Sequence, residues 1–356
     1  MKIVSIVGAR PQFIKAAALS RLLRRRHHEI LVHTGQHYDP LLSDVFFAEL
    51  DLPQPDYHLG IGSDTHARQV ARILQGIEEI LLKERPDRAL VYGDTNSTLA
   101  GALAAAKLNL PLAHVEAGLR SYNRAMPEEL NRVLTDHCAG LLLCPSALAV
   151  DNLAREGITR GVYLVGDVMY DSLLRQVDTG RLDSARLAAF DVSPRAYGLA
   201  TVHRAANTDD PARLASILDA LGRLAEPVLF PVHPRTHKAM LDAALRPSAN
   251  VRLLDPLGYS DMLLLERHAR CVLTDSGGVQ KEAFFFGVPC VTLRDDTEWP
   301  ETVDCGWNVL AGCDADRIVA AAERPLPQGE RPPLFGDGHA AEKIVEALES
   351  DDPSHG

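Results

Sequence analysis

Residues 271–293 read CVLTDSGGVQKEAFFFGVPCVTL. CVLTDS is apolar and β-branched and reads as a buried strand; residues 278–286 read as a helix; VPCVTL reads as a second strand. A strand, a covering helix and a strand make a βαβ unit, whose strands run parallel. Ser276-Gly277-Gly278 falls at the strand-to-helix junction. A turn without bulky side chains at a helix N-terminus lets backbone amides approach a phosphate. Glu282 lies four residues beyond Gly278 on the same helix face and is placed to accept bonds from ribose hydroxyls. The bland alternative is a tight glycine turn with a solvated glutamate.

The same alternation extends in both directions. KIVSIV (2–7) reads as a strand and PQFIKAAALSRLL (11–23) as a helix with proline at its first position. HEILVHT, DRALVYG and LPLAHVE read as strands, with helices over 66–84 and 96–108. In the second half YGLATVH, PVLFPVH and VRLLD read as strands, with helices over 211–225 and 260–269. The pattern predicts an α/β protein of two Rossmann-like, doubly wound domains with a central cleft. VGDVMYDSLL (165–174) joins the halves, so the domains are expected at 1–168 and 169–337. A last helix at about 339–349 follows a proline-rich stretch.

Composition narrows the function. The chain has 356 residues, 46% hydrophobic and 24% charged, which disfavours bulk disorder, collagen and coiled coil. A net charge of −11 argues against nucleic acid as a partner. The basic cluster Arg21 to Arg26 reads as a solvated helix end complementing the dipole. Six cysteines form no CxxC pair and fit reduced thiols in a cytoplasmic protein. No apolar run approaches the roughly 18 residues of a membrane helix, and MKIVSIVGAR is too short for a signal peptide. No HExxH, EF-hand loop or cysteine-histidine spacing implies a metal, and no G-x-S-x-G elbow implies acyl hydrolysis.

The conspicuous polar residues follow predicted strands. Gly8-Ala9-Arg10, with Lys15 one turn on, reads as an anion site built from free amides and two cations, or as an ordinary turn. Asp94, in GDTNS (93–97), is a catalytic candidate or a helix cap. Glu116 ends an apolar run, where a carboxylate needs a partner, and Arg120 is a candidate. Glu128 opens a helix, with Arg132 four residues on. Three carboxylates at one sheet edge suit proton transfer at a buried carbon. His203-Arg204 and His233-Pro234-Arg235 follow later strands and suggest an anion site.

Together these segments identify a family. GARPQFIKAA, HTGQHYD, GDTNSTLAG, HVEAGLRS, MPEELNR, His203-Arg204, HPRT, DSGGVQKEA and GVPCVTLRDDTEWPE occur in one order along essentially the whole chain. The chain resembles the non-hydrolysing UDP-N-acetylglucosamine 2-epimerases. The resemblance implies the glycosyltransferase-B architecture, a homodimer, no cofactor, and a final segment, 338–356, returning to the first domain. It assigns nucleotide-sugar contacts to Arg10, Lys15, Asp94, Glu116, His203, Ser276, Gly277, Gly278 and Glu282, and a third important carboxylate to Glu128. Arg132 and His233 join the substrate-binding set; Asp94, Glu116, Glu128 and His203 form the catalytic one. Two positions depart from the family pattern: Ala206 stands where an acid is usual, and Trp299 where an arginine often precedes the proline. These resemble the branch acting on UDP-2,3-diacetamido-2,3-dideoxyglucuronate.

The implied route eliminates UDP, holds a 2-acetamidoglucal, and re-adds UDP with a proton on the opposite face. Carbon 2 bears no carbonyl-acidified proton, so leaving-group loss must help its removal. The rival expectations are a glycosyltransferase, a hydrolysing epimerase and an inactive nucleotide-sugar sensor.

Overall fold

The protein is described from a computed structural model, over residues 1–36, 47, 49–327 and 329–351. It divides into two compact units, Met1–Leu174 with Pro333–Gly356, and Arg175–Pro332.

The first unit is built on a seven-stranded sheet. Its strands are β1 (Lys2–Val7), β2 (His28–His33), β3 (Tyr57–His58), β4 (Arg88–Tyr92), β5 (Leu112–Val115), β6 (Leu141–Cys144) and β7 (Val162–Leu164). Their order is β3-β2-β1-β4-β5-β6-β7, with every pair parallel. Ile3, Val4, Ile6 and Val7 have no exposed surface, as expected of a central strand covered on both faces. Ile73, Ile77, Ile80 and Leu81 of helix His66–Glu84 pack on Val4, Ile6, Val32 and Val91. Helix Asn96–Lys107 lies close to the sheet because its inner face is alanine and glycine. A Cβ at Gly101 would sit 2.7 Å from Ile6 Cδ1.

The second unit carries β8 (Gly198–Thr201), β9 (Val228–Pro231), β10 (Val251–Leu254), β11 (Cys271–Thr274), β12 (Cys290–Thr292) and β13 (Asn308–Leu310). Their order is β10-β9-β8-β11-β12-β13, again parallel throughout. Leu214, Ile217 and Leu221 of helix Pro211–Arg223 share one core with Phe230, Val291 and Ile318. Both sheets reverse their winding at one point, between β1 and β4 and between β8 and β11. Loops leaving the carboxyl ends there diverge, which opens a crevice for ligands.

The division at 174/175 differs from the expected 168/169. Val168, Met169 and Leu173 are buried, and Ser172 Oγ donates to Ile14 O at 2.7 Å, so the first half of helix Val168–Asp178 belongs to unit one. The return to unit one also starts earlier than 338, because Asp167 N donates to Phe335 O at 2.9 Å. Helix Ala340–Ser350 then packs on helix Arg10–Arg26. Asp171 accepts from Ala340 N and Ala341 N at 3.2 and 2.7 Å, and Arg88 holds the far end through Asp351 Oδ2 at 2.9 Å. Residues 352–356 of the expected returning segment lie outside the described residues. Part of the Arg21–Arg26 cluster is engaged rather than simply solvated: Arg24 binds Glu29 and Asp56, and Arg26 binds Glu349. Among the described residues no helix is long and apolar enough to cross a membrane, and none group as a metal site.

Candidate active site

In unit one the candidate residues gather at the carboxyl ends of β1, β4 and β5. Glu116 follows β5 with φ 71°, a left-handed backbone that costs a non-glycine residue about 1–2 kcal/mol. Its carboxylate forms an ion pair with the Lys15 ammonium, and both side chains are 7% exposed. The pair closes over Gly93, where an added Cβ would lie 2.9 Å from Lys15 Nζ and 3.2 Å from Glu116 Oε2. Asp94 comes next. The cap of the following helix is Thr95, whose hydroxyl accepts from Thr98 N at 3.3 Å, so Asp94 is not spent on capping. Its Oδ2 instead receives Arg132 Nη2 at 2.6 Å. Arg132 also lies 3.4 Å from Glu129 and donates from Nε to Glu128 O at 3.3 Å. Helix Pro127–Cys138 thereby carries half-buried Glu128 to the edge that holds Asp94 and Glu116.

Two expectations need correction. Arg120 does not partner Glu116: its guanidinium is taken by Glu156 at 2.6 and 2.7 Å and by Asp136 at 2.7 Å. The left-handed backbone turns Glu116 toward helix Arg10–Arg26 instead, where Lys15 waits. The amides after β1 are not free for an anion either. Gly8 N and Ala9 N donate to Gln12 Oε1 at 2.8 and 3.1 Å, and Gln12 Nε2 bridges to Tyr92 O at 2.8 Å. Gly8 is required by packing, since a Cβ there would lie 2.1 Å from Thr34 Oγ1. Arg10 remains exposed at the first position of its helix.

The HTGQHYD motif supports this edge. Gln36 Oε1 accepts from Ser97 N and Oγ at 2.9 and 2.7 Å. His33 is buried against Phe13 and stacked on His58 at 4.5 Å. Burial and the neighbouring imidazole push its pKa down to about 4, so the ring is neutral and accepts from Gly35 N at 2.8 Å. Residues 37–39 of the motif lie outside the described residues.

In unit two the organising residue is Asp275, which has no exposed surface. It accepts from His203 N at 3.0 Å, Arg204 N at 2.9 Å and Asn207 Nδ2 at 3.1 Å, and lies 3.3 Å from His203 Nδ1. The loops after β8 and β11 are thus fixed together at the switch point. His233 caps helix Pro234–Asp242, its ring 5.8 Å from that of His203. Arg235, exposed on the same helix, pairs through Nη2 with the exposed Asp209 at 2.7 Å. Ser276 caps helix Gly277–Phe286, its hydroxyl accepting from Val279 N at 3.5 Å. A Cβ at Gly277 would meet only ordinary contacts at 3.4 Å, so the protein's own packing does not demand glycine there. Glu282 is 4% exposed, unlike a solvated surface acid. Buried Trp299 stacks under Lys281, whose ammonium is 4.1 Å from the ring centre. A cation therefore stands beside the position that lacks the arginine. Ala206 is exposed on the short helix Ala205–Thr208.

Sequence reasoning missed Asp275, Gln12 and Glu129. Asp275 stands in the quoted T-D-S-G-G segment, and a buried acid one residue before a glycine turn was the available signal.

The family model for UDP-N-acetylglucosamine 2-epimerase matches residues 21–349. A UDP-N-acetylglucosamine 2-epimerase homolog of Methanococcus maripaludis is 52% identical over 354 residues, covering 98% of this chain and 99% of its own. The chain belongs to the UDP-N-acetylglucosamine 2-epimerase family. The UDP-2,3-diacetamido-2,3-dideoxy-D-glucuronate 2-epimerase of Pseudomonas aeruginosa is 50% identical over 360 residues, covering 98% and 99%. The crystal structure of the Methanocaldococcus jannaschii UDP-GlcNAc 2-epimerase, in complex with UDP-GlcNAc and UDP, matches with a TM-score of 0.91 and 41% identity over 98% of this chain and all of that one. The calicheamicin glycosyltransferase CalG4 shares this glycosyltransferase-B fold, with a TM-score of 0.57 at 15% identity over 99% of each chain.

Proposed function

We propose that this family member is a non-hydrolysing UDP-N-acetylglucosamine 2-epimerase. The observation that carries the reading is the buried Lys15–Glu116 pair at a switch point, with Asp94 held by Arg132 and Glu128 on the neighbouring helix. In the forward direction a carboxylate takes the proton from carbon 2 as the C1–O bond to UDP breaks. The electron pair of the C–H bond becomes the C1–C2 double bond of a 2-acetamidoglucal. Re-addition of the diphosphate to carbon 1 and of a proton to the opposite face of carbon 2 gives the 2-epimer. Two faces need two groups, which Asp94, Glu116 and Glu128 supply as acid and base. Cationic groups stabilise the departing diphosphate; Lys15, Arg10, Arg132 and His203 serve in that role. The second unit binds UDP through the Ser276-Gly277-Gly278 amides, Glu282 and His233. This chemistry needs no cofactor.

Incubation with UDP-GlcNAc alone, without an acceptor, tests the reading. Accumulation of UDP-ManNAc to a constant ratio, with no free sugar, is the expected result. Free sugar with UDP would mark hydrolysis instead, and no turnover would refute the assignment.

A second reading has its own support. The cation of Lys281 lies on Trp299 beside the Gly277 turn, where a Cβ would be 3.4 Å from both Trp299 Nε1 and Glu298 Oε2, a carboxylate already paired with Arg294. A buried cation there favours an anionic sugar, as does the 50% identity to the diacetamido-glucuronate epimerase. A kcat/KM more than about tenfold higher for the uronate, or roughly 1.4 kcal/mol, would put that sugar first. We further assign the enzyme to the cytoplasm, as a homodimer feeding polysaccharide synthesis. Its six cysteines, all unpaired, support a reducing compartment, and light scattering tests the dimer.

A further inference from the structure

Behind Asp94 and Glu116 lies a buried ion cluster that the proposed chemistry does not use. His114 is on β5 with no exposed surface, and Asp136, on helix Pro127–Cys138, is 1% exposed. His114 Nδ1 lies 2.7 Å from Asp136 Oδ1. Its Nε2 lies 2.7 Å from Gly93 O, the carbonyl immediately before Asp94. The other carboxylate oxygen, Asp136 Oδ2, accepts from Gly118 N at 3.1 Å, two residues after Glu116, and from Arg120 Nη1 at 2.7 Å. Arg120 is anchored in turn by Glu156.

The geometry sets the charge of the ring. A neutral imidazole has one N–H, and its other nitrogen presents a lone pair. Here both nitrogens face oxygen acceptors. A carbonyl can only accept, and Asp136 stays a carboxylate because Arg120 Nη1 and Gly118 N both donate to its Oδ2, at 2.7 and 3.1 Å. The ring therefore donates at both ends, as an imidazolium. Its charge and that of Arg120 balance Asp136 and Glu156, which is how a buried cluster of this size is tolerated.

One cluster thus grips two turns. Gly118 packs closely on Ala149, since a Cβ there would lie 2.3 Å from Ala149 O; its carbonyl is held by Asn152 Nδ2 at 3.0 Å. We propose that the His114 imidazolium and Asp136 are positioning residues that fix the Gly93–Asp94 and Glu116–Gly118 turns relative to each other, and so the separation of the two reacting carboxylates. The proposal rests on the reading that Asp94 and Glu116 move protons. A misplacement of about 1 Å in such a pair costs on the order of 10²-fold in rate.

Two measurements test it separately. The first is indifferent to activity: nitrogen-15 NMR of histidine-labelled enzyme at pH 7. One slowly exchanging histidine should carry protons on both ring nitrogens, and those signals should vanish in His114→Gln. A His114 ring with a single N–H would overturn the proposal, even if the enzyme epimerises as expected. The second uses kinetics per UDP-binding site. Asp136→Asn should lower kcat about 10²-fold, leave KM and UDP affinity within about threefold, and be partly rescued in Asp136→Glu. Loss of UDP-binding sites with unchanged kcat per remaining site would mean a merely structural role and would also overturn it. If His114→Gln fails to fold, a shift of the same two signals in Asp136→Glu makes the assignment, and unshifted signals refute the contact. A wild type that fails to epimerise any UDP-sugar would sink the functional reading while leaving the NMR result standing.

Discussion

Replacing Gly93 by alanine should separate stability from activity. Gly93 has φ +62°, a conformation open to alanine at about 1–2 kcal/mol. The added methyl would lie 2.9 Å from Lys15 Nζ and 3.2 Å from Glu116 Oε2. The first distance is impossible for a real contact, so something must move. What moves is the end of a flexible lysine side chain, which costs little folding energy. The displaced ammonium, however, is the partner of Glu116, and the carboxylate shifts with it. The expected result is a loss of about 1–2 kcal/mol in urea unfolding with a kcat lower by about 10²-fold, the cost of a misplaced acid or base. Gly157→Ala is the matched control. Gly157 has φ +80° with nothing within 4 Å of an added Cβ, so it carries the backbone cost without the clash. It should lose similar stability and keep its turnover. Wild-type turnover in Gly93→Ala, or equal losses of turnover in both variants, would refute the reasoning that the Lys15–Glu116 pair sets the chemistry.

Asp94→Asn, Glu116→Gln and Glu128→Gln should each lower kcat by about 10²-fold or more while the protein stays folded; turnover at wild-type level in all three removes the carboxylates from the mechanism. Glu282→Ala should weaken UDP binding by roughly 10–100-fold in calorimetry, the value of bonds to a charged acceptor, and unchanged affinity would exclude a ribose role. Asp171 is pushed up to about 6, first by burial and against the bonds from Ala341 and Ala340, with Glu342 and Asp167 adding to the rise. Its folded-state ionisation is therefore penalised. The contribution is fully present below about pH 4 and lost as pH rises through 6, by at most about 3 kcal/mol at roughly 1.4 kcal/mol per pH unit. Asp171→Asn should flatten that part of the stability profile in urea unfolding, and an unchanged slope would contradict the assignment.

The fold was largely legible because its signals are local. Helix 66–84 agrees at both ends with the apolar period that predicts it, and KIVSIV is β1 without change. The strands absent from the sequence reading are short. LLLC (141–144) has four apolar residues and no period, and β7 is a three-residue edge strand whose residues are largely exposed. The candidate residues were legible singly, since most lie at or just beyond strand ends, but their partners were not. Lys15 and Glu116 are separated by 101 residues, and only the parallel order β1-β4-β5 brings them together. Arg120 was the nearest cation in sequence to Glu116, yet the left-handed backbone at Glu116 and the bonds from Arg120 to Asp136 and Glu156 part the two. Asp275 acts across strands through the pairing of Thr274 with Thr201, which composition cannot reveal. Gln12 took the amides assigned to an anion because a glutamine three residues into a helix reaches back to its own N-terminus.

The central claim, proton exchange at carbon 2 through elimination and re-addition, is tested most directly by proton NMR of the reaction in deuterium oxide. The account predicts that UDP-sugar product carries deuterium at carbon 2 from the first turnover, and that recovered substrate becomes labelled as the reaction reverses. Epimerisation in which carbon 2 keeps its original hydrogen would contradict it.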